Sequence, residues 1–397
     1  MRTSRVAVLV ALGASLSTII SGPALALGAA PRTTPAIGQQ QAELKGSDTV
    51  AQNGFGVSVA ISGANVVAGA PGYAKSAGRA YVFAKTDASW RQSAELKGSD
   101  TIASDYFGYS VVISGTTIVV GSPGYAKDSG RVYVFTDSAK GWGQVAELKG
   151  SDTIAGDYFG YSVVISGTTI DVGAPGHAKT AGRVYVFTDT ASGWKQAAEL
   201  KGSDTAADNG FGYAVALSGT TAVVGAPVYS KNAGRAYVFT HTASGWMQAA
   251  ELKGSDTVGD DGFGVSVAFS GTAVFVGADG HAKGAGRVYS FTDSAKGWEQ
   301  VAELKGADTA ASDGFGISVV VSGTTLVVGA PDHAKLAGRA YVFTDTASGW
   351  KQAAELKGAD TTANDGLGVS VSLSGSSAVA GAPDRADDAG RAYVFNA

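Results

Sequence analysis

Residues 105–149 read DYFGYSVVISGTTIVVGSPGYAKDSGRVYVFTDSAKGWGQVAELK. Four runs rich in Val, Ile, Tyr and Phe alternate here with Gly, Ser, Asp and Thr, the pattern of short strands joined by turns. FGYSVVIS (107–114) is strand A, SGTT is a tight turn, and IVVGSP (118–123) is strand B. The loop GYAKDSG leads to RVYVF (131–135), strand C, and TDSAKG leads to WGQVAELK (142–149), strand D. No run has the length or capping signals of a helix. Because side chains alternate along a strand, Phe107, Tyr109, Val111 and Ile113 are expected on one face of strand A. Gly108, Ser110, Val112 and Ser114 then fall on the other, so a large face can nest on the small face of a neighbouring sheet. In strand D, Trp142, Gln144, Ala146 and Leu148 are expected to share a face, with Glu147 and Lys149 opposite. Alternating charge there blunts an outer edge.

The same unit is written seven times. FG begins at Phe55, Phe107, Phe159, Phe211, Phe263 and Phe315, and becomes LG at Leu367, always 52 residues apart. GAP follows at Gly69, Gly173, Gly225, Gly329 and Gly381, with GSP at Gly121 and GAD at Gly277. A G-R pair places Arg79, Arg131, Arg183, Arg235, Arg287, Arg339 and Arg391 in phase, and E-L-K recurs from Glu43 to Glu355. Length alone would suggest two or three domains; an unbroken period makes residues 39–397 one domain with internal symmetry. Units that cannot each bury both faces predict an all-β fold, a seven-bladed β-propeller of four-stranded blades. The last copy ends on strand C at Phe395, while QQQAELK (39–45) precedes the first FG as an orphan strand D. The N-terminal strand is therefore predicted to complete the last blade and close the ring; an open solenoid would need a cap at each end.

Thirty basic against 34 acidic residues, with a net charge of −4, lack the basic excess of a nucleic-acid-binding protein. The absence of Cys excludes disulfides, thiolate metal sites and Cys nucleophiles. Residues 1–26 have the order of a secretory signal peptide: Arg2 and Arg5, an apolar run from Val6 to Ile20, then Ala24-Leu25-Ala26 with cleavage expected after Ala26. The run is short of the ~20 residues of a spanning helix. Residues 27–38 read as a Pro/Thr linker. The mature protein is thus expected to be secreted, extracellular or at the cell surface, with no membrane span.

The string DYFGYSVVISGTTIVVGSPG…GRVYVF resembles the FG-GAP repeat of integrin α-subunit propellers and of secreted bacterial proteins with the same repeat, over residues 39–397. The resemblance implies a seven-bladed propeller whose inner strand begins at FG, with the D–A and B–C loops on one ligand-binding face. It implies a role in adhesion or ligand recognition. Many FG-GAP blades carry a calcium loop resembling D-x-D-x-D-G between strands A and B. Here that turn is Ser-Gly-Thr-Thr or a close variant, as at Ser114 to Thr117, with no carboxylate to supply oxygen ligands. No calcium of that type and no cofactor is expected, and no metal site is assigned; whether the Asp-rich interblade loops bind a cation stays open at this point.

Candidate binding residues form rings. After GAP come Tyr73, Tyr125, His177, Tyr229, His281, His333 and Arg385 at one position. Two residues on stand Lys75, Lys127, Lys179, Lys231, Lys283 and Lys335, then Asp387. On the face the resemblance implies, these aromatic and cationic groups suit a protein or glycan; they read equally well as solvated loop residues free to differ between blades. Asp48, Asp100, Asp152, Asp204, Asp256, Asp308 and Asp360 recur in G-[SA]-D-T. They could accept hydrogen bonds from a ligand. The structural role favoured here has them bonding turn N–H groups or pairing with the arginines of G-R. The tryptophans opening strand D are expected to pack, with a sugar platform as the alternative. Asp171 stands where Val67, Val119 and Val223 stand in other copies. A buried unpaired carboxylate there is expected to hold its proton.

There is no G-x-S-x-G, no H-E-x-x-H and no phosphate loop, and three of the four His share one loop position. The sequence thus predicts a monomeric, non-enzymatic recognition or adhesion module binding an extracellular protein or glycan through its D–A and B–C loops. A multivalent lectin, a structural scaffold of the cell envelope and an unfamiliar hydrolase are the alternatives.

Overall fold

The computed structural model describes residues 36–87 and 89–397. The expected signal peptide and most of the expected linker lie outside the described residues. Seven antiparallel four-stranded sheets form the blades, each with strand order A–B–C–D. In the second copy the strands are Ser110–Ser114, Thr117–Ser122, Arg131–Ser138 and Gly141–Leu148. Strands A, B and the first half of C are buried almost throughout, whereas strand D alternates between exposed and half-buried positions.

Blades meet backbone to backbone near the inner strands. A Cβ on Gly69 would strike the carbonyl oxygen of Gly108 in the next blade, and one on Gly78 would strike that of Phe107. This close approach is why GAP and G-R need glycine. Phe107 then enters the interior and packs on Tyr133 and Phe135 of its own blade, with ring centroids 5.4 and 6.0 Å away. Inner-strand N–H groups that face a neighbour instead of a strand are met by serines: Ser58 Oγ accepts from Val111 N–H at 3.0 Å. Burial without such a partner would leave a costly unsatisfied donor.

The ring closes as the two chain ends predict. Gln40–Leu44 pairs antiparallel with Arg391–Asn396, supplying strand D of the seventh blade. The contacts of the other blades repeat at this seam. Ser370 Oγ accepts from Val59 N–H at 3.0 Å, Gln40 Oε1 accepts from Ala359 N–H at 2.8 Å, and Arg391 Nε donates to Glu43 at 2.7 Å.

Two strand expectations need correction. Regular pairing in strand A starts at Ser110, because Gly108 has a φ of 88° and interrupts the alternation. Phe107 and Tyr109 therefore part company: Phe107 enters the blade interior, while Tyr109 is half-buried against Tyr161 of the next blade, 5.1 Å between centroids. In strand D a β-bulge shifts the register, so Gln144 opposes Phe135 but Ala146 opposes Val134. Residues facing each other across a pair share a sheet face, so Trp142 and Gln144 do not share one with Ala146 and Leu148. The extra residue, Val145, is exposed.

Candidate functional site

Every B–C connection makes the same left-handed turn. In the second copy Ala126, Lys127 and Asp128 have φ values of 51°, 61° and 64°. Such residues cost roughly 1–2 kcal/mol each, so three in succession need external support. The next blade provides it. The carbonyls of Lys127, Asp128 and Ser129 accept from Gly156, Tyr158 and Phe159 N–H at 3.1, 2.7 and 3.2 Å. At the seam Asp387 and Asp388 receive Gln52 and Gly54 in the same way. B–C turn and following D–A loop are thereby locked together at one end of the ring. Lys75, Lys127, Lys179, Lys231, Lys283 and Lys335 all lie exposed on these turns.

The aromatic candidates point at the aspartates. Tyr73, Tyr125 and Tyr229 donate to Asp48, Asp100 and Asp204 at 2.6, 2.7 and 2.7 Å. The second oxygen of each carboxylate accepts from a buried strand C tyrosine: Tyr81, Tyr133 or Tyr237, at 2.7, 2.7 and 2.8 Å. Arg79, Arg131 and Arg235 lie over the outer tyrosine rings at 4.7, 4.4 and 4.7 Å. Burial acts against these carboxylates, but the two phenol hydrogen bonds and the nearby guanidinium hold Asp48, Asp100 and Asp204 below the usual range. Burial, then the bond to Asp, pushes the strand C phenols far up.

In the other blades a histidine or an arginine replaces the outer tyrosine. His177, His281 and His333 place Nδ1 at 3.0, 3.0 and 2.9 Å from Asp157, Asp261 and Asp313. Their Nε2 atoms face Asp152, Asp256 and Asp308 at 3.6, 3.7 and 3.6 Å. These aspartates accept from Tyr185, Tyr289 and Tyr341. In the last blade Arg385 donates to Asp360 at 2.8 Å, and Asp360 also accepts from Tyr393.

The G-R arginines pair elsewhere than with these aspartates. Arg79, Arg131, Arg235, Arg287 and Arg391 meet Glu95, Glu147, Glu251, Glu303 and Glu43 of E-L-K at 2.6–2.8 Å. Arg183 and Arg339 meet Glu199 and Glu355. A further turn N–H is capped by a second residue of the D–A loop: Asn53 and Asp105 accept from Val50 and Ile102 at 2.9 and 2.7 Å. Sequence reading passed over these Asx residues, the YVF tyrosines and the E-L-K glutamates, although each recurs in phase.

It also passed over a set of exposed apolar residues. Val50, Ile102, Ile154 and Val258 sit in the D–A loops directly after D-T and are 63–69% exposed. Tyr106 and Tyr158, in the same loops of the second and third blades, are 41% exposed. Tyr109, Tyr161 and Tyr213 form a row of mutually tilted rings, centroids 5.1 and 4.9 Å apart. The loops of blades 2 and 3 are thus the aromatic side of the face; blade 6 has Ala310, Gly314 and Ile317 at the equivalent places. The signal was the string YFGY, present at 106–109 and 158–161. The tryptophans are half-buried against the core, as Trp142 and Trp194 are against one interblade cluster.

A closed ring of seven four-stranded blades with interlocked loops at one end is a β-propeller scaffold. The chain belongs to the FG-GAP repeat family, whose model matches residues 39–83, 90–135, 142–187, 194–239, 246–291, 298–343 and 350–395. It is similar to integrin alpha-D of Homo sapiens, 31% identical over 141 residues, which cover 31% of this chain and 12% of that protein. It is also similar in fold to a chain in a crystal structure of the mitotic checkpoint complex, with a TM-score of 0.60, 13% identity, and coverage of 96% of this chain and 99% of that one. This second likeness shows the fold alone. Among the described residues no helix is long and apolar enough to cross a membrane.

Proposed function

We propose that this protein is a non-enzymatic recognition module, exported to the cell surface or medium, that docks a protein partner on the loop face of blades 2 and 3. The observation that carries this is the exposure of Ile102, Tyr106, Ile154 and Tyr158, large apolar groups on successive loops that backbone hydrogen bonds tie to the preceding blades. Exposed apolar groups gathered on one face mark interaction surfaces, and aromatic side chains on rigid supports are favourable anchors. Lys75 and Lys127, on the adjoining B–C turns, would form a charged rim. The outer Tyr and His side chains serve this surface indirectly, since their polar tips are already bonded to aspartate. Membership of a repeat family shared with an integrin α chain supports recognition as the role.

The aliphatic content favours a protein over a glycan. A pull-down from secreted and surface proteins, run beside a glycan array, should capture a partner at about one per chain. Ile102→Asp with Ile154→Asp should abolish capture and leave the melting temperature within a degree or two. Capture that survives this double substitution, or several sugars bound per chain, would overturn the assignment.

A further inference from the structure

In blades 5 and 6 a histidine, an aspartate and a glutamate converge. One ligand atom each from Asp256, His281 and Glu303 lie within 4.8 Å of one another, and so do those of Asp308, His333 and Glu355. We propose that these are two divalent transition-metal sites, of the zinc type, built on the outer side of the interblade aspartate network.

The histidine geometry carries the argument. His281 Nδ1 is 3.0 Å from Asp261, whose side chain is 6% exposed, and His333 Nδ1 is 2.9 Å from Asp313. With Nδ1–H donated to that carboxylate, the lone pair of Nε2 points outward, the arrangement in which a carboxylate orients a metal-binding imidazole. Nε2 then faces Asp256 at 3.7 Å or Asp308 at 3.6 Å. A hydrogen bond is too short for that gap. A cation about 2.1 Å from both atoms would make an angle of about 118–124° with them, an opened tetrahedral angle. The glutamates complete the set: Glu303 gives one oxygen to Arg287 at 2.7 Å and has a second to offer. One nitrogen and carboxylate oxygens suit zinc better than calcium or magnesium, which take oxygen alone. The aspartates are themselves oriented by Tyr289 and Tyr341, which donate to their other oxygens at 2.8 Å.

This site lies apart from the A–B turns that govern calcium in similar repeats, so the lack of carboxylates there does not bear on it. It is also separate from the docking surface of blades 2 and 3. At His177 the third carboxylate is drawn away, as Glu199 accepts from Ser151 Oγ at 3.4 Å.

The fold supplies its own control. Tyr125, which donates to Asp100, occupies the equivalent place in blade 2, with Asp105 and Glu147 at the matching sequence positions, so His281→Tyr and His333→Tyr recreate a combination the ring already accommodates. Titration of the chelator-treated protein with zinc at pH 7.5, read by calorimetry, should show saturable uptake. Each single substitution should remove one zinc equivalent and the pair two, while His177→Tyr leaves those two in place. Excess magnesium should not compete. Asp261→Asn, which copies Asn53 and Asn209, should weaken the blade 5 site about 10- to 100-fold without shifting the melting temperature. No saturable uptake, or uptake that survives His281→Tyr with His333→Tyr, would overturn the assignment.

Discussion

Blades 3 and 5 depart from the other five at the same strand B position, and they do so in opposite ways. Five blades place a valine pair across strands B and C, such as Val119 opposite Val134. Blade 5 has Phe275 opposite Ser290, both buried. Blade 3 has Asp171 opposite Val186. In blade 5 the small serine makes room for the large ring, whose neighbour Trp350 in the next blade meets it nearly edge-on at 5.1 Å. In blade 3 nothing answers the change. Asp171 is fully buried and both its oxygens lack a hydrogen-bond partner. The layer between blades thus accepts an exchange of volume within the register, because packing needs total volume and shape. It offers a charge no such compensation.

Removing the carboxylate gives the largest expected effect. Burial pushes the Asp171 carboxyl up to about 8, against an unfolded value near 3.9. Between those values the native state holds a proton that the unfolded chain has released, so stability falls as pH rises through this window, by about 1.4 kcal/mol per unit. Asp171→Val should therefore raise stability by roughly 3–6 kcal/mol at pH 7.5 and by far less at pH 4.5. Denaturant unfolding at the two pH values checks this; equal gains at both would mean that burial of the charge is not the cause. The converse transplant, Val119→Asp, should cost several kcal/mol at pH 7.5, and a neutral result would break the comparison.

Next comes the exchanged pair. Phe275→Val alone leaves space beside Ser290 and should cost about 2–4 kcal/mol. Phe275→Val with Ser290→Val restores the pair of the other blades and should recover about 1–2 kcal/mol of that loss. Strict additivity in a double-mutant cycle would show that the two positions do not compensate. The smallest effect belongs to the loop face, where the same register position also varies but each variant has a partner. Tyr125→Phe removes one of two phenol bonds to Asp100 and should cost about 0.5–1.5 kcal/mol. A loss as large as that of Phe275→Val would place the outer tyrosines in the structural core.

Most of this fold was legible in the chain. The 52-residue step of FG, the seven copies and the orphan QQQAELK at 39–45 sufficed for blade number and closure, because a strand missing from one end and present at the other has one place to pair. The strand D bulge was not legible, since Val145 fits an alternating pattern and only the pairing with strand C shows it to be the extra residue. The candidate site was half legible. Tyr73, His177 and Arg385 stood out as a varied position, yet the recurrent aspartate that each faces lies 25 residues away, and the meeting depends on how the left-handed turn aims them.

The sequence by itself determined the repeat, the strands and the ring, because these follow from periodicity and from the need of each sheet to cover its faces. Tertiary structure alone decided the partners: arginine with glutamate instead of aspartate, tyrosine and histidine with aspartate, and three side chains around a common point in blades 5 and 6. The physical reason is range. A strand is specified by neighbours along the chain, whereas a hydrogen bond or a ligand set is specified by tenths of an ångström between residues that only the closed ring brings together.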